Sequence, residues 1–303
     1  MMSARTALAM LLGLLSASVA AAAPDAPAGC VSTASGDLRI HSLESHVFRN
    51  TRRIRVLLPP AYDAPENAAK RYGVLYMLDG QNLFDACLSN VSHQEWAFDE
   101  TVYRLIREGR IPPMIVVGVD HAGAARAREF LPYKDFVGDP DMEEPEGRRF
   151  PDFMTNEVMP SVDSRYRTLA DHAHTGIGGS SYGGSAALYA LLAKPGRFGF
   201  GLLESPILSI GMGQLIRDTS PLVAMPQRVF IAFGAKEIDE PVISDKVIGL
   251  VRMLEANFRA AGYDDSSLRV VIDPEGRHSE PDWARRLPEA LAFLYGTAAV
   301  SGR

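Results

Sequence analysis

The sequence has little of what marks metal-binding, redox or nucleic-acid-binding proteins. Its 303 residues contain only two cysteines, Cys30 and Cys87, without the spacing of a metal site or a redox pair. There is no run of Lys and Arg, and the formal net charge is -6. The chain therefore lacks the positive surface by which proteins bind nucleic acid or anionic membranes. These absences favour a small or neutral substrate over a polyanion.

A long apolar run occurs at the N-terminus, where it has the form of a secretory signal. Thr6–Val19 is apolar and Arg5 precedes it. The alanines at 20–23 supply the small residues that a signal-peptide cleavage site requires. We therefore expect a signal peptide over residues 1–23 and a secreted or periplasmic protein. The run is shorter than the about 20 residues of a spanning helix, so we expect no stable membrane insertion after the leader is cleaved.

Both cysteines lie beyond the expected cleavage point. In an oxidising compartment a single disulfide between Cys30 and Cys87 is the simplest outcome, and two unpaired thiols are the alternative. The sequence leaves both open.

What the chain does contain is an alternation of strand and helix patterns. Apolar runs with strand character cover 38–48, 53–58, 74–78, 114–119, 173–178, 198–203, 229–233 and 268–272. Helical spacing of apolar residues covers 95–107, 184–193, 243–261 and 281–295. This alternation predicts an α/β fold with a mostly parallel sheet of about eight strands and helices on both faces.

The same alternation predicts the domain organisation. We expect a short N-terminal segment over 24–52, one catalytic domain over 53–296 and a C-terminal tail over 297–303. Within the domain, the polar stretch 133–149 is expected to be a solvated loop, and 208–226 a lid or cap beside the site.

The sharpest chemical signal is a G-x-S-x-G motif with Ser181 at its centre. The motif runs from Gly179 to Gly183; Ser180 cannot be the centre, because Tyr182 stands where its second glycine would be needed. In this motif a strand turns abruptly into a helix, and the glycines let neighbouring backbone pass close to the exposed serine. The context fits, since a strand pattern precedes Ser181 and a helix pattern follows it. We predict that Ser181 is a nucleophile.

A serine nucleophile needs a general base and an acid that orients the base. His278 follows the last strand pattern and precedes the last helix, which is the position of the base in the chain order serine, acid, histidine. Glu237 follows the strand pattern 229–233 by a short turn and is the favoured acid, with Asp239 and Glu240 as rivals. His121, after the strand pattern 114–119, is placed either near the site or at the surface, and the surface is favoured.

An oxyanion hole requires two N–H groups that converge on one point. The residue after the nucleophile, Tyr182, is expected to provide one backbone N–H. The other is expected from Gln81, in the loop after strand pattern 74–78, where Gly80 allows the backbone to turn inward.

A family resemblance rests on these and three further segments. The segments are Leu78-Asp79-Gly80-Gln81-Asn82, Gly178-Gly179-Ser180-Ser181-Tyr182-Gly183-Gly184, His278-Ser279-Glu280-Pro281-Asp282-Trp283, Leu58-Pro59-Pro60-Ala61-Tyr62, Ile115-Val116-Val117-Gly118-Val119-Asp120 and Arg128-Glu129-Phe130-Leu131-Pro132. Together they resemble the putative-esterase family of α/β hydrolases, over about residues 53–295. That family includes enterochelin-type siderophore esterases, feruloyl esterases, S-formylglutathione hydrolases and mycolyltransferases.

The resemblance implies an α/β-hydrolase fold, ester hydrolysis and no cofactor or metal. It implies Ser181 and His278 in the roles given above, with Glu237 where the family has Asp or Glu. The expected substrate is a small-molecule or glycan-linked ester. Two alternatives stay open: an acyltransferase that uses the same acyl-enzyme, and a non-catalytic binding protein on the same fold.

Overall fold

An eight-stranded sheet runs through the centre of the molecule. The computed structural model describes residues 29–89, 93–134, 144–220 and 226–296. The signal peptide expected over 1–23 and the tail expected over 297–303 lie outside these residues. The strands are β1 Asp37–Ser45, β2 Asn50–Leu58, β3 Gly73–Leu78, β4 Met114–Val119, β5 Thr175–Ser180, β6 Phe200–Glu204, β7 Arg228–Gly234 and β8 Leu268–Asp273. The helices are α1 Phe98–Arg107, α2 Arg126–Phe130, α3 Phe150–Phe153, α4 Met159–Asp163, α5 Tyr182–Ala193, α6 Ile210–Arg217, α7 Pro241–Ala260 and α8 Glu280–Tyr295.

The strand order is β1-β2-β4-β3-β5-β6-β7-β8. From β4 to β8 every neighbouring pair is parallel, whereas β1 and β2 pair antiparallel with each other and β2 with β4. The carboxyl ends of β3, β5, β6, β7 and β8 therefore meet along one edge, which is where ligands bind in open α/β sheets. The predicted α/β-hydrolase architecture, with its mostly parallel sheet of eight strands, is confirmed.

Both faces of the sheet are buried, as the continuous apolar runs of its central strands require. Along β3, Val74 and Tyr76 pack into one core and Leu75 and Met77 into the other. Helices α5 and α7 cover the first face, while α1 and α8 cover the second. Among the described residues no helix combines the length and apolar character needed to cross a membrane.

The N-terminal strap, defined here as residues 29–36, is tied to the loop that follows β3. Cys30 and Cys87 form a disulfide with their Cα atoms 5.8 Å apart, so of the two alternatives the structure has the bridge. Ser32 Oγ donates to Asp85 Oδ2 at 2.6 Å, which adds a second link to the same loop. Strand β1 follows the strap and extends the sheet, so the chain from Asp37 onward is built into it.

Two segments differ from the sequence-based expectation. Residues 150–163, for which the sequence predicts no helix or strand, form α3 and α4 joined by the π-helical turn Met154–Val158. Pro151 and Pro160 interrupt the helical pattern in the sequence, which is why these helices are not predicted. Each proline lies in the first turn of its helix, where proline is tolerated. Within the expected lid 208–226 lies α6, which begins with a kink because Gly211 to Gly213 have positive φ; residues 221–225 and 135–143 lie outside the described part of the chain.

Candidate active site

The turn between β5 and α5 has the geometry of a strained elbow. Ser181 joins the two elements with φ 56° and ψ -128°, a conformation that costs a non-glycine residue on the order of 1–3 kcal/mol. Its backbone N–H donates to the carbonyl oxygen of Glu204 at 3.0 Å. A methyl group on Gly179 would lie 2.7 Å from the carbonyl carbon of Gly183. The two glycines thus allow the strand and the helix to approach closely, with a serine at the tip.

Exposure distinguishes the two serines of the motif. Ser180 is the last residue of β5 and is buried, whereas Ser181 is partly open to solvent. Ser181 also precedes the first turn of the 12-residue helix α5, where the positive end of the helix dipole stabilises negative charge.

A histidine and a carboxylate from two other strand ends form a pair at the same edge. His278 follows β8 and Glu237 follows β7, and His278 Nδ1 lies 2.7 Å from Glu237 Oε2. The Glu237 side chain is 2% exposed and that of His278 is 34% exposed. Asp239 and Glu240, the rival acids, are exposed, and Glu240 immediately precedes α7.

The other oxygen of Glu237 has two donors of its own. Glu237 Oε1 accepts from the backbone N–H of Gly234 at 2.6 Å and from Ser205 Oγ at 2.5 Å. Ser205 Oγ in turn accepts from Trp283 Nε1 at 2.9 Å, and the Trp283 ring meets the His278 imidazole edge-on, with centroids 5.0 Å apart. Sequence reasoning missed Ser205; the signal for it is its position directly after β6, at the carboxyl edge of the sheet.

The loop after β3 packs against the elbow. Asp79 has φ 59°, and a methyl group on Gly183 would lie 2.8 Å from Asp79 Oδ2. A methyl group on Gly80 would lie 2.5 Å from the carbonyl carbon of Gly118, so only glycine fits there. This turn brings Gln81, which is buried, to the edge that carries Ser181.

Comparison with known proteins identifies the family to which this chain belongs. The family model described as "Putative esterase" matches residues 45–294. The chain belongs to the putative-esterase family. It is accordingly an esterase, which hydrolyses carboxylic esters.

This esterase is similar in sequence and structure to proteins of several organisms. It is 23% identical over 266 residues to the uncharacterized protein YbbA of Bacillus subtilis (strain 168), covering 84% of this chain and 96% of that protein. An IroE-like serine hydrolase from Shewanella oneidensis has a TM-score of 0.67 at 21% identity, with 84% of this chain and 79% of that chain covered. The CE1 ferulic acid esterase of Anaeromyces mucronatus has a TM-score of 0.61 at 17% identity, with 89% of this chain and 93% of that chain covered. Ferric enterobactin esterase of Salmonella typhimurium has a TM-score of 0.61 at 21% identity, with 86% of this chain and 58% of that chain covered.

Beneath the elbow of the esterase lies a buried group of charges. Arg286 on α8 donates through Nη2 to Glu204 Oε2 at 2.8 Å and through Nη1 to Asp273 Oδ2 at 3.1 Å. Burial raises the pKa of Glu204 to about 7, and the Arg286 guanidinium offsets this only in part. One guanidinium is therefore hydrogen-bonded to two carboxyl groups. Of the two, Glu204 keeps its proton to higher pH.

The esterase has a second polar cluster on the β4 side of the elbow. Arg126 on α2 forms two 2.7 Å hydrogen bonds to Asp79 and lies over the Tyr182 ring, 5.5 Å from its centroid. The backbone N–H of His121 donates to Gln81 Oε1 at 3.3 Å. His121 is half-buried, not at the surface as expected, and burial lowers its pKa.

No side-chain group in the described residues of the esterase is arranged to hold a metal. Within 29–89, 93–134, 144–220 and 226–296, no cluster of three or more His, Cys, Asp or Glu has that geometry.

Proposed function

We propose that this esterase is an exported serine hydrolase that works through an acyl-enzyme on Ser181. His278 is the general base, Glu237 the acid that orients it, and the backbone N–H groups of Gln81 and Tyr182 form the oxyanion hole. No cofactor takes part. The observation that carries the proposal is the 2.7 Å pair of His278 and Glu237, which stands at the same sheet edge as the strained elbow of Ser181.

The reaction proceeds in two halves. Ser181 Oγ attacks the ester carbonyl while His278 Nε2 takes its proton, and the alcohol leaves with that proton when the tetrahedral intermediate collapses. Water then attacks the acyl-enzyme by the reverse sequence and releases the acid. Glu237 accepts the Nδ1–H of His278, so that Nε2 is the nitrogen free to act as base.

Charge develops on the carbonyl oxygen in both halves of the reaction. The Tyr182 amide belongs to the first residue of α5, where the helix dipole favours an oxyanion. Gln81 is brought near by the close contact between the Asp79 turn and Gly183. Each such donor contributes about 10²- to 10³-fold in kcat in serine hydrolases.

The proposed substrate is a small-molecule or glycan-linked ester. Structural relatives are named as esterases of ferulic acid and of ferric enterobactin, so acetyl, feruloyl and siderophore-lactone esters form the first panel to test. Acceptor alcohols added to the same assays would divert acyl groups if the enzyme were a transferase. Hydrolysis in their presence, without transfer product, is the expected result.

Export is the part of the proposal that depends on the leader over 1–23. The Cys30–Cys87 disulfide supports it, because disulfides persist in oxidising compartments. N-terminal sequencing of protein recovered outside the cytoplasm is expected to begin beyond the leader; a mature form that begins at Met1 would contradict export.

The nucleophile is tested by labelling with a serine-directed fluorophosphonate. Wild type and Ser180→Ala are expected to be labelled and active, whereas Ser181→Ala loses the label and about 10⁴-fold or more in kcat. Thermal unfolding of both variants controls for folding. Labelling and near-normal turnover in Ser181→Ala would reject the proposed mechanism.

A further inference from the structure

The carboxylate paired with His278 is held by a relay of two side chains outside the expected triad. Resting on the proposed function, we infer that Ser205 is a positioning residue which, oriented by Trp283, fixes the Glu237 carboxylate so that it can serve His278. The relay runs from Trp283 Nε1 to Ser205 Oγ at 2.9 Å, and from Ser205 Oγ to Glu237 Oε1 at 2.5 Å. It ends at His278 Nδ1, 2.7 Å from Glu237 Oε2.

The direction of the relay follows from which groups can donate. The indole N–H is only a donor, and an ionised carboxylate only accepts. Ser205 Oγ accepts from Trp283, and its one hydrogen is then directed to the acceptor on its other side, Glu237 Oε1. Trp283 thus sets the orientation of the hydroxyl, and the hydroxyl sets the orientation of the carboxylate.

The backbone at Ser205 is shaped for this contact. Its φ is 46°, unusual for a residue with a side chain, and its N–H donates to the carbonyl oxygen of Ala232 in β7 at 2.7 Å. The residue is 0% exposed, so its hydroxyl cannot contact a substrate. Its influence on the reaction must therefore pass through its hydrogen-bond partners, and of these Glu237 is the one bonded to His278.

The contact affects the charge as well as the geometry of Glu237. With Ser205 Oγ and Gly234 N both donating to Oε1, part of the carboxylate charge is neutralised on the side away from His278. Removal of the hydroxyl leaves more negative charge available to stabilise the imidazolium. The carboxylate would also be held less firmly, so the proton of Ser181 would pass to a less well-oriented base.

The test compares steady-state kinetics of Ser205→Ala with wild type across pH. We expect kcat to fall about 10- to 100-fold, as for loss of a hydrogen bond to a charged group, with KM unchanged. The acid limb of kcat/KM should move to higher pH. Ser205→Cys, with a weaker donor of similar size, should fall between the two. Ser244→Ala is the matched control, because Ser244 is a buried serine that bonds the carbonyl oxygen of Ala235 instead of the carboxylate.

A double-mutant cycle isolates the relay from mere packing. Trp283→Phe keeps a ring beside His278 and removes the indole N–H, so a few-fold loss in kcat is expected in the wild-type background. In the Ser205→Ala background the same change should cost less, because the hydrogen bond that it removes is already absent. Equal losses in both backgrounds would show that Trp283 acts only by packing and would overturn the relay.

The outcomes for the two proposals can be told apart. If Ser181→Ala is inactive but Ser205→Ala keeps both the wild-type kcat and the acid limb, the positioning role is wrong and the triad stands. If Ser205→Ala lowers kcat with no shift of the acid limb, the residue is merely structural. If Ser181→Ala stays active, the proposed function itself fails.

Discussion

At the scale of single residues, the site contrasts one buried carboxylate with two exposed ones close by in sequence. Glu237 has donors on both oxygens and is almost fully buried. Asp239 and Glu240 are exposed. A carboxylate can fix a histidine tautomer only from a defined position, so the acid role proposed for Glu237 rests on these hydrogen bonds and not on its position in the sequence alone.

Amide substitution of the three acids separates their roles. Glu237→Gln keeps the size but loses the charge, and we expect kcat to fall about 10²- to 10⁴-fold while the nucleophile and oxyanion hole remain. Asp239→Asn and Glu240→Gln should stay within a few-fold of wild type. Assaying all three on one ester decides the matter: a crippled Asp239→Asn or Glu240→Gln would displace the acid, and three active variants would leave a Ser181/His278 dyad.

At the scale of elements, the sequence predicted what local patterns encode. Apolar runs such as 114–119 reveal buried strands, and the glycines around Ser181 reveal a tight strand-to-helix turn, because both signals lie within a few consecutive residues. The position of Ser205 directly after β6 was its one signal and did not single it out, because its proposed role depends on Glu237 and Trp283, which are distant in the chain. Helices α3 and α4 were missed because prolines within their first turns look like breaks in a helical pattern.

The disulfide of the N-terminal strap should stabilise the loop after β3. The bridge joins residues 57 positions apart, and a native disulfide of this kind contributes about 2–4 kcal/mol. We expect Cys30→Ser/Cys87→Ser to lower Tm by about 5 to 10 °C and to lower kcat, because the same loop carries Gln81. Differential scanning calorimetry measures the first effect. Ser32→Ala, which removes only the bond to Asp85, is the control and should shift Tm much less; an unchanged Tm in the double variant would show that the strap is not stabilising.

At the scale of the whole molecule, the charges beneath the elbow couple stability to pH. Glu204 carries a pKa raised to about 7 from an ordinary value of 4.5, chiefly by burial. Between these values the folded protein holds a proton that the unfolded chain has released. The stability that Glu204 gains from keeping this proton is therefore complete below about pH 4.5 and is lost as the pH rises through about 7.

A non-titrating variant isolates this contribution. Glu204→Gln cannot release a proton, so the unfolding free energy of wild type should decline relative to the variant, by on the order of 1 kcal/mol per pH unit between pH 5 and 7. Urea unfolding at several pH values gives both curves. Glu275→Gln, at an exposed pair with Lys236, should follow wild type. Parallel curves for wild type and Glu204→Gln would mean that Glu204 stays ionised in the folded state.

The order of the strands along the chain has a consequence for biosynthesis. The elbow is complete once β5, α5 and β6 have been made, but Glu237 comes with the end of β7 and His278 with the end of β8. Trp283, which holds Ser205, arrives only with α8, the last helix. Under the proposed assignment, a growing or truncated chain carries its nucleophile without a base. Hydrolytic power would then arise only once the end of β8 has brought in His278, so a chain that stops short of it has no activity to direct against the esters of its own cell.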